Sequence, residues 1–128
     1  MFKLNNKIEV IVPQFDNDKN AINDANIANA LKNITAEFGG ATVSQNLGYW
    51  VSEESNELMI DENLKYEWYF DNISEKVVNN IENLVSILME KHRQECISFI
   101  FKGNLYLVEN KHEITQLFLA DTVNQLFN

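Results

Sequence analysis

Hydrophobic and polar residues follow periods along this chain that predict five strands and three helices. A period of two, typical of a strand with one buried face, marks 7–12, 41–51, 64–70, 96–101 and 105–108. Spacings of three and four, typical of an amphipathic helix, mark 20–38, 72–93 and 113–127. No linker or repeat divides the sequence, so we expect one domain over residues 1–128.

The order of these elements predicts an α+β fold. The first six, strand, helix, strand, strand, helix, strand, match the split β-α-β pattern of ferredoxin-like domains, in which two helices cover one face of an antiparallel sheet. A fifth strand and a third helix are then additions at the C-terminus. The last helix could cover the sheet or meet a second copy of the chain.

Turn and cap residues predict where the first helix begins and ends. Asp16, Asp18 or Asn20 could accept hydrogen bonds at its N-terminus, as short polar side chains do at that position. Gly39 or Gly40 could end it, because glycine reaches positive φ without a Cβ penalty.

Three further local features are expected downstream. Gly48 indicates a bulge or a close backbone approach in the second strand. Leu58–Ile60 could begin the third strand, with a kink over Asp61–Asn63 before Leu64. Asn72, with Glu75 three residues later, resembles a capping box for the second helix.

The third strand carries several aromatic residues. Its alternation places Tyr66, Trp68 and Phe70 in the core and Tyr69 on the outer face. RNA-binding domains of similar topology stack bases on such aromatics. Those faces are also basic, whereas Lys65 is the one cation here, so RNA binding is a weak alternative.

Charge narrows the classes of partner. Nineteen acidic and ten basic residues give a formal net charge of −9, which disfavours direct contact with nucleic-acid phosphates and favours a basic protein partner. No apolar run is long enough to cross a membrane. A single cysteine, Cys96, excludes an internal disulfide, and a cytoplasmic location is expected.

Residues suited to catalysis are few. His92 lies at a helix end beside Lys91 and Arg93, where the helix dipole favours positively charged side chains. His112 lies in a loop before the last helix. Cys96 opens a strand and is expected to be a small core residue. The two glycines at the end of the first helix match no phosphate-binding motif. We therefore expect no catalytic residues, no metal site and no cofactor.

The most prominent surface feature is an acidic hairpin loop between Ser52 and Leu64. Five acids without a base would create a local negative field that fits a basic groove. Together with the outward Tyr69, they form the predicted partner-binding residues: Glu53, Glu54, Glu57, Asp61, Glu62 and Tyr69. Their spacing does not match a calcium-binding loop.

One stretch carries a resemblance to known proteins. Phe38-Gly39-Gly40-Ala41-Thr42, followed by Gly48-Tyr49-Trp50, an acidic hairpin and an aromatic strand, resembles small uncharacterised proteins of bacterial plasmids and phages. Such families have no activity to transfer. The resemblance implies the context of a mobile genetic element.

These observations favour one main functional hypothesis and leave two alternatives. The main one is a non-enzymatic, anti-CRISPR-like inhibitor that occupies the basic surface of a nuclease or another nucleic-acid-binding defence effector. The first alternative is a small-molecule-binding or enzymatic domain, with a pocket near Trp50, Tyr69 and His112. The second is a structural accessory protein that dimerises through the C-terminal helix.

Overall fold

The structure is a computed structural model that describes the backbone of residues 1–127 and the side chains of residues 1–121. It contains five strands and three helices in the predicted order. The strands are β1 (Asn6–Pro13), β2 (Thr42–Val51), β3 (Leu58–Phe70), β4 (Ile97–Phe101) and β5 (Asn104–Val108). The helices are α1 (Ala25–Phe38), α2 (Glu75–Ser86), which continues as a π-helical turn over Ile87–Lys91, and α3 (His112–Phe127).

All five strands form one antiparallel sheet in the order β2-β3-β1-β4-β5. The first four strands have the ferredoxin-like arrangement, and β5 is added beside β4. The predicted α+β class and ferredoxin-like core are therefore confirmed. The first strand of the chain lies at the centre of the sheet, where Ile8 pairs with Trp68 on one side and with Phe101 on the other.

The helices cover one face of this sheet, because the buried residues of the strands and helices belong to a single cluster. Trp68 is fully buried in it, and its Nε1 donates to Thr35 Oγ1 of α1 at 3.0 Å. Phe118 of α3 packs against Phe99 and Phe101, so α3 covers β4 on the same face as the other helices. Val123, Leu126 and Phe127 lie outside the residues whose side chains the structure describes.

Both helix N-termini differ from the sequence prediction. α1 is capped by Asp24, whose Oδ1 accepts from Asn26 N at 2.9 Å, and not by the three residues proposed above. α2 is capped by Ser74, whose Oγ accepts from Val77 N, and not by Asn72. In each case another residue that can cap a helix lies closer to the first buried turn. The apolar period alone does not show which of the candidates forms the cap.

The polar stretch before α1 is instead a compact loop held by Asp16. Its Oδ1 accepts from the backbone N of Asp18 and of Asn20, each at 2.9 Å, and Phe15 forms an isolated bridge with Ala21. A carboxylate that bonds its own loop in this way competes with helix formation. The C-terminal prediction for α1 is confirmed, since Gly39 has φ 88° and its N–H reaches Thr35 O.

The β2–β3 hairpin is more regular than expected. Its ladder runs without a break from Thr42–Glu67 to Val51–Leu58, so the predicted kink at Asp61–Asn63 is absent and β3 is one strand. Gly48 occupies an ordinary ladder position opposite Asp61, without a bulge. His112 is the first residue of α3 and not part of a loop. Polar residues interrupted the sequence pattern without interrupting backbone pairing.

The buried face of α2 gives the first prediction. Leu84 is fully buried in the common core, whereas Leu119 on α3 is 61% exposed. We expect Leu84→Ala to lower the free energy of unfolding by about 2–5 kcal/mol, the usual range for a cavity left by a buried leucine. The matched control Leu119→Ala should change it by less than about 0.5 kcal/mol. Urea denaturation measures both, and equal effects would contradict the assigned core.

Candidate functional site

The face of the sheet opposite the helices carries a cluster of charged side chains at its centre. On this face, β1 contributes Lys7 and Glu9 to the cluster, and β3 contributes Lys65, Glu67 and Tyr69. We call these five residues the open-face cluster. They are brought together by the period of two in each strand and by the register that places Glu9 directly opposite Glu67.

Glu9 and Glu67 form a carboxylate pair flanked by two ammonium groups. Lys7 Nζ lies 3.5 Å and Lys65 Nζ lies 3.7 Å from Glu9 Oε1, and Lys65 Nζ lies 3.4 Å from Glu67 Oε1. Like charges directly opposite one another destabilise a sheet. The lysines offset that repulsion, and only 8% of Glu9 is exposed.

Two members of the cluster, Glu67 and Lys7, have shifted pKa values. The hydrogen bond to Glu9 holds the pKa of Glu67 below its usual range; burial opposes this shift, while Lys65 and Lys7 add to it. The charge of Glu9 also raises the pKa of Lys7. Groups with perturbed pKa values are concentrated at functional sites.

Tyr69 completes the cluster on the side of Lys7. It lies directly opposite Lys7 in the ladder, and Lys7 Nζ is 5.8 Å from the centre of its ring. An aromatic face of this kind attracts cations. The cluster therefore presents carboxylates, ammonium groups and an aromatic ring within one patch, which suits a small ligand that carries both signs of charge.

Sequence reasoning identified only one member of this cluster. Tyr69 was predicted to face outward and does so, with 46% of its surface exposed. Lys7, Glu9, Lys65 and Glu67 were missed, although a signal exists in the repeated Lys-x-Glu spacing on both strands. That signal becomes informative only when the register of β1 against β3 is known.

The five predicted acidic residues are not grouped with Tyr69. Glu53, Glu54 and Glu57 lie in the exposed turn of the β2–β3 hairpin, whereas Asp61 and Glu62 are part of β3 and point to opposite faces. Eleven residues of strand, roughly 35 Å at 3.3 Å per residue, separate Leu58 from Tyr69. The acids are therefore spread along the end of the β2–β3 hairpin and do not lie in one loop.

Asp61 has a hydrogen-bond partner within the same hairpin. Its Oδ2 accepts from Trp50 Nε1 at 3.0 Å across the two strands. Trp50 pairs with Met59, ten residues from Tyr69 along β3, so the pocket expected near Trp50, Tyr69 and His112 is not formed by those residues.

A groove lies on the helix side of the sheet, between α1 and β3. It comprises a cavity of about 370 Å³ bordered by the loop before α1 and a neighbouring one of about 490 Å³. Ala28, Leu31 and Tyr66 line both cavities. Burial raises the pKa of Tyr66, and the lining is mainly apolar, so the groove offers few polar groups for chemistry.

Asp24 joins this groove to the end of α2. Its Oδ2 lies 2.8 Å from Lys91 Nζ and 2.8 Å from His92 Nε2, and only 4% of its side chain is exposed. His92 therefore has a structural partner. Cys96 is half-buried, and burial together with Glu109 and Glu95 raises the pKa of its thiol, which disfavours a nucleophilic role.

The described residues contain neither a metal-binding cluster nor a membrane-spanning helix. Among side chains 1–121 there is no group of three or more histidine, cysteine or carboxylate residues that could hold a metal ion. No helix in the described part of the chain is long and apolar enough to span a membrane.

Comparison with known proteins gave matches to solved structures. The chain is similar to a phage SAM lyase in complex with S-methyl-5′-thioadenosine, with a TM-score of 0.54 and 15% identity, over 87% of this chain and 96% of that one. It is also similar to a phage SAM lyase in the apo state, with a TM-score of 0.50 and 15% identity, over 83% and 90%. No family model and no curated protein sequence matches. This likeness shows a shared fold.

These matches contradict the main functional hypothesis. The matched structures are of an enzyme, and nothing in the comparisons indicates an anti-CRISPR inhibitor, so the expectation of a non-enzymatic protein is wrong. The alternative of an enzymatic or small-molecule-binding α+β domain is better supported. The resemblance to plasmid and phage proteins, the basic protein partner, the cytoplasmic location and the homodimer through the C-terminal helix stay predictions.

The Asp24 contacts give a prediction about pH. Hydrogen bonds from Lys91, His92 and the backbone of Asn26 hold the pKa of Asp24 well below its ordinary value near 3.9. Because the pKa is depressed in the folded state, these contacts stabilise the protein above about pH 4 and are lost as pH falls through the folded-state pKa. Acid should therefore weaken the junction between α1 and α2.

Asp24→Asn tests this directly, because asparagine is also a good N-cap and only the ionic contacts are removed. We expect the variant to be less stable than the parent protein at pH 7 and the difference to shrink toward pH 2, measured by urea denaturation. Asp18→Asn in the preceding loop is the matched control. A difference that does not vary with pH would contradict the assigned role of Asp24.

Proposed function

We propose that this chain is an enzyme that binds S-adenosylmethionine (SAM) and cleaves it to S-methyl-5′-thioadenosine. The observation that carries the proposal is the likeness to a phage SAM lyase over 96% of that enzyme's chain. Near-complete coverage means that the neighbour has almost no additional element that this chain lacks. A phage origin agrees with the mobile-element context suggested by the sequence.

The open-face cluster is the site we propose for the substrate. SAM has a positive sulfonium, and its amino-acid part has an ammonium and a carboxylate. Glu9 and Glu67 can accept from the ammonium group, and Lys7 and Lys65 can bind the carboxylate. The Tyr69 ring, which already lies near a cation, can face the sulfonium.

The bond that breaks follows from the product. S-methyl-5′-thioadenosine retains the methyl group, the sulfur and the adenosyl group of SAM, so cleavage occurs between the sulfur and Cγ of the amino-acid part. The electron pair of that bond stays with the sulfur, which loses its positive charge. For the step to balance, Cγ must form a new bond as it loses the sulfur. The carboxylate of the same amino-acid part can supply that electron pair by closing a five-membered lactone, so no further reactant is needed. The cluster would hold the amino-acid part in the folded geometry that this closure requires.

Chromatography of SAM incubated with the purified full chain tests this function. We expect S-methyl-5′-thioadenosine to accumulate in proportion to the protein added. Glu67→Gln should reduce the rate about 10- to 100-fold, since a hydrogen bond to a charged group contributes about 1.5–3 kcal/mol. Because the substitution removes one of two opposing carboxylates, we expect the fold to be retained.

Glu54→Gln, in the exposed hairpin turn, is the matched control and should leave the rate unchanged. If the folded parent protein forms no product, the proposed activity is wrong. If it forms product but Glu67→Gln is as active as the control, the activity is supported and the assignment to the open-face cluster is wrong.

A further inference from the structure

The outer edge of β2 has none of the features that normally prevent strand pairing. β2 is the first strand in the sheet order, so one side of its ten-residue backbone pairs with β3 and the other faces away from the sheet. It contains no charged residue, no proline and no bulge. Natural edge strands are usually protected from other strands by at least one of these.

The edge also lies in the least charged part of an acidic chain. No charged residue occurs between Glu37 and Glu53, although the whole chain has 29 charged residues and a net charge of −9. Two copies of this chain repel each other over most of their surfaces. They can approach with least repulsion along β2. A second copy is therefore favoured as the partner at this edge, because a basic protein would bind where the acidic residues lie.

Exposed apolar residues follow the same strand. Val43, Leu47 and Val51 lie on one face at a spacing of four, each between 47% and 57% exposed. An antiparallel pairing centred on Leu47 would place Val43 opposite Val51 of the second copy and Leu47 opposite itself. Apolar pairs across strands stabilise such a sheet.

The same register separates the acidic turns. In an antiparallel pair of β2 strands, Glu53 and Glu54 of the two copies lie at opposite ends of the interface. Ten residues of strand place them roughly 33 Å apart. That distance exceeds the screening length of about 8 Å at physiological ionic strength, so the turns do not oppose association.

We propose that the β2 edge is an assembly interface, at which its backbone pairs with a strand of a second copy of this chain. The apolar spacing favours β2 against β2, which forms a closed two-fold pair. The other exposed edge, β5, is the second strand that the chain could supply. This inference concerns assembly and does not depend on the proposed activity.

Sedimentation velocity of the full chain at low and high micromolar concentration tests the proposal. The parent protein should sediment as an oligomer, and Val43→Lys/Leu47→Lys should sediment as a monomer, because lysines on an edge strand block pairing. Glu53→Lys/Glu54→Lys adds two lysines to the turn of the same hairpin and should leave the oligomer intact. Circular dichroism establishes that each variant is folded.

A cysteine cross-link identifies the strand that pairs with β2. In a Cys96→Ser background, Leu47→Cys should form a disulfide-linked dimer under mild oxidation, because paired strands bring their Cα atoms within the 4.4–6.8 Å that a disulfide needs. In a variant that carries both Leu47→Cys and Leu105→Cys, a cross-link between β2 of one copy and β5 of another would still support the β2 interface. A monomeric parent protein, or an oligomer unaffected by the β2 lysines, would overturn it.

Discussion

The structure depends on a one-sided sheet, whose strands bury every second residue under the helices. On β3 this alternation takes Trp68 into the core, where its indole N–H bonds Thr35, and leaves Glu67 and Tyr69 on the other face. A slip of one residue in this strand would exchange the two sets. Core packing on one face therefore fixes the position of the charged cluster on the other.

Sequence reasoning recovered the elements whose apolar period was unbroken. The stripe of α1, the wide face of α2 and the outward position of Tyr69 are all present in the structure, and so is the glycine cap at Gly39. The errors lie where polar residues follow one another. Asp61–Asn63 predicts a kink, yet the strand accommodates these polar residues because its backbone remains paired with β2 throughout.

The candidate site was harder to predict, because it is a property of pairing between strands. Glu9 lies in a mainly apolar strand and would be assigned to a solvated position from sequence alone. The structure places it opposite Glu67, nearly buried and beside two lysines. The charges of the acidic turn are adjacent in sequence and can be recognised there, whereas the charges of the open-face cluster come from strands more than fifty residues apart.

The central position of β1 has a consequence for how the chain folds. Ile8 must pair with Trp68 and with Phe101, so its two neighbours are completed only after most of the chain has left the ribosome. Contacts this far apart in sequence form slowly. The β2–β3 hairpin can close locally and early. β1 can then pair with β3 of that hairpin, and β4 and β5 are added to β1 last.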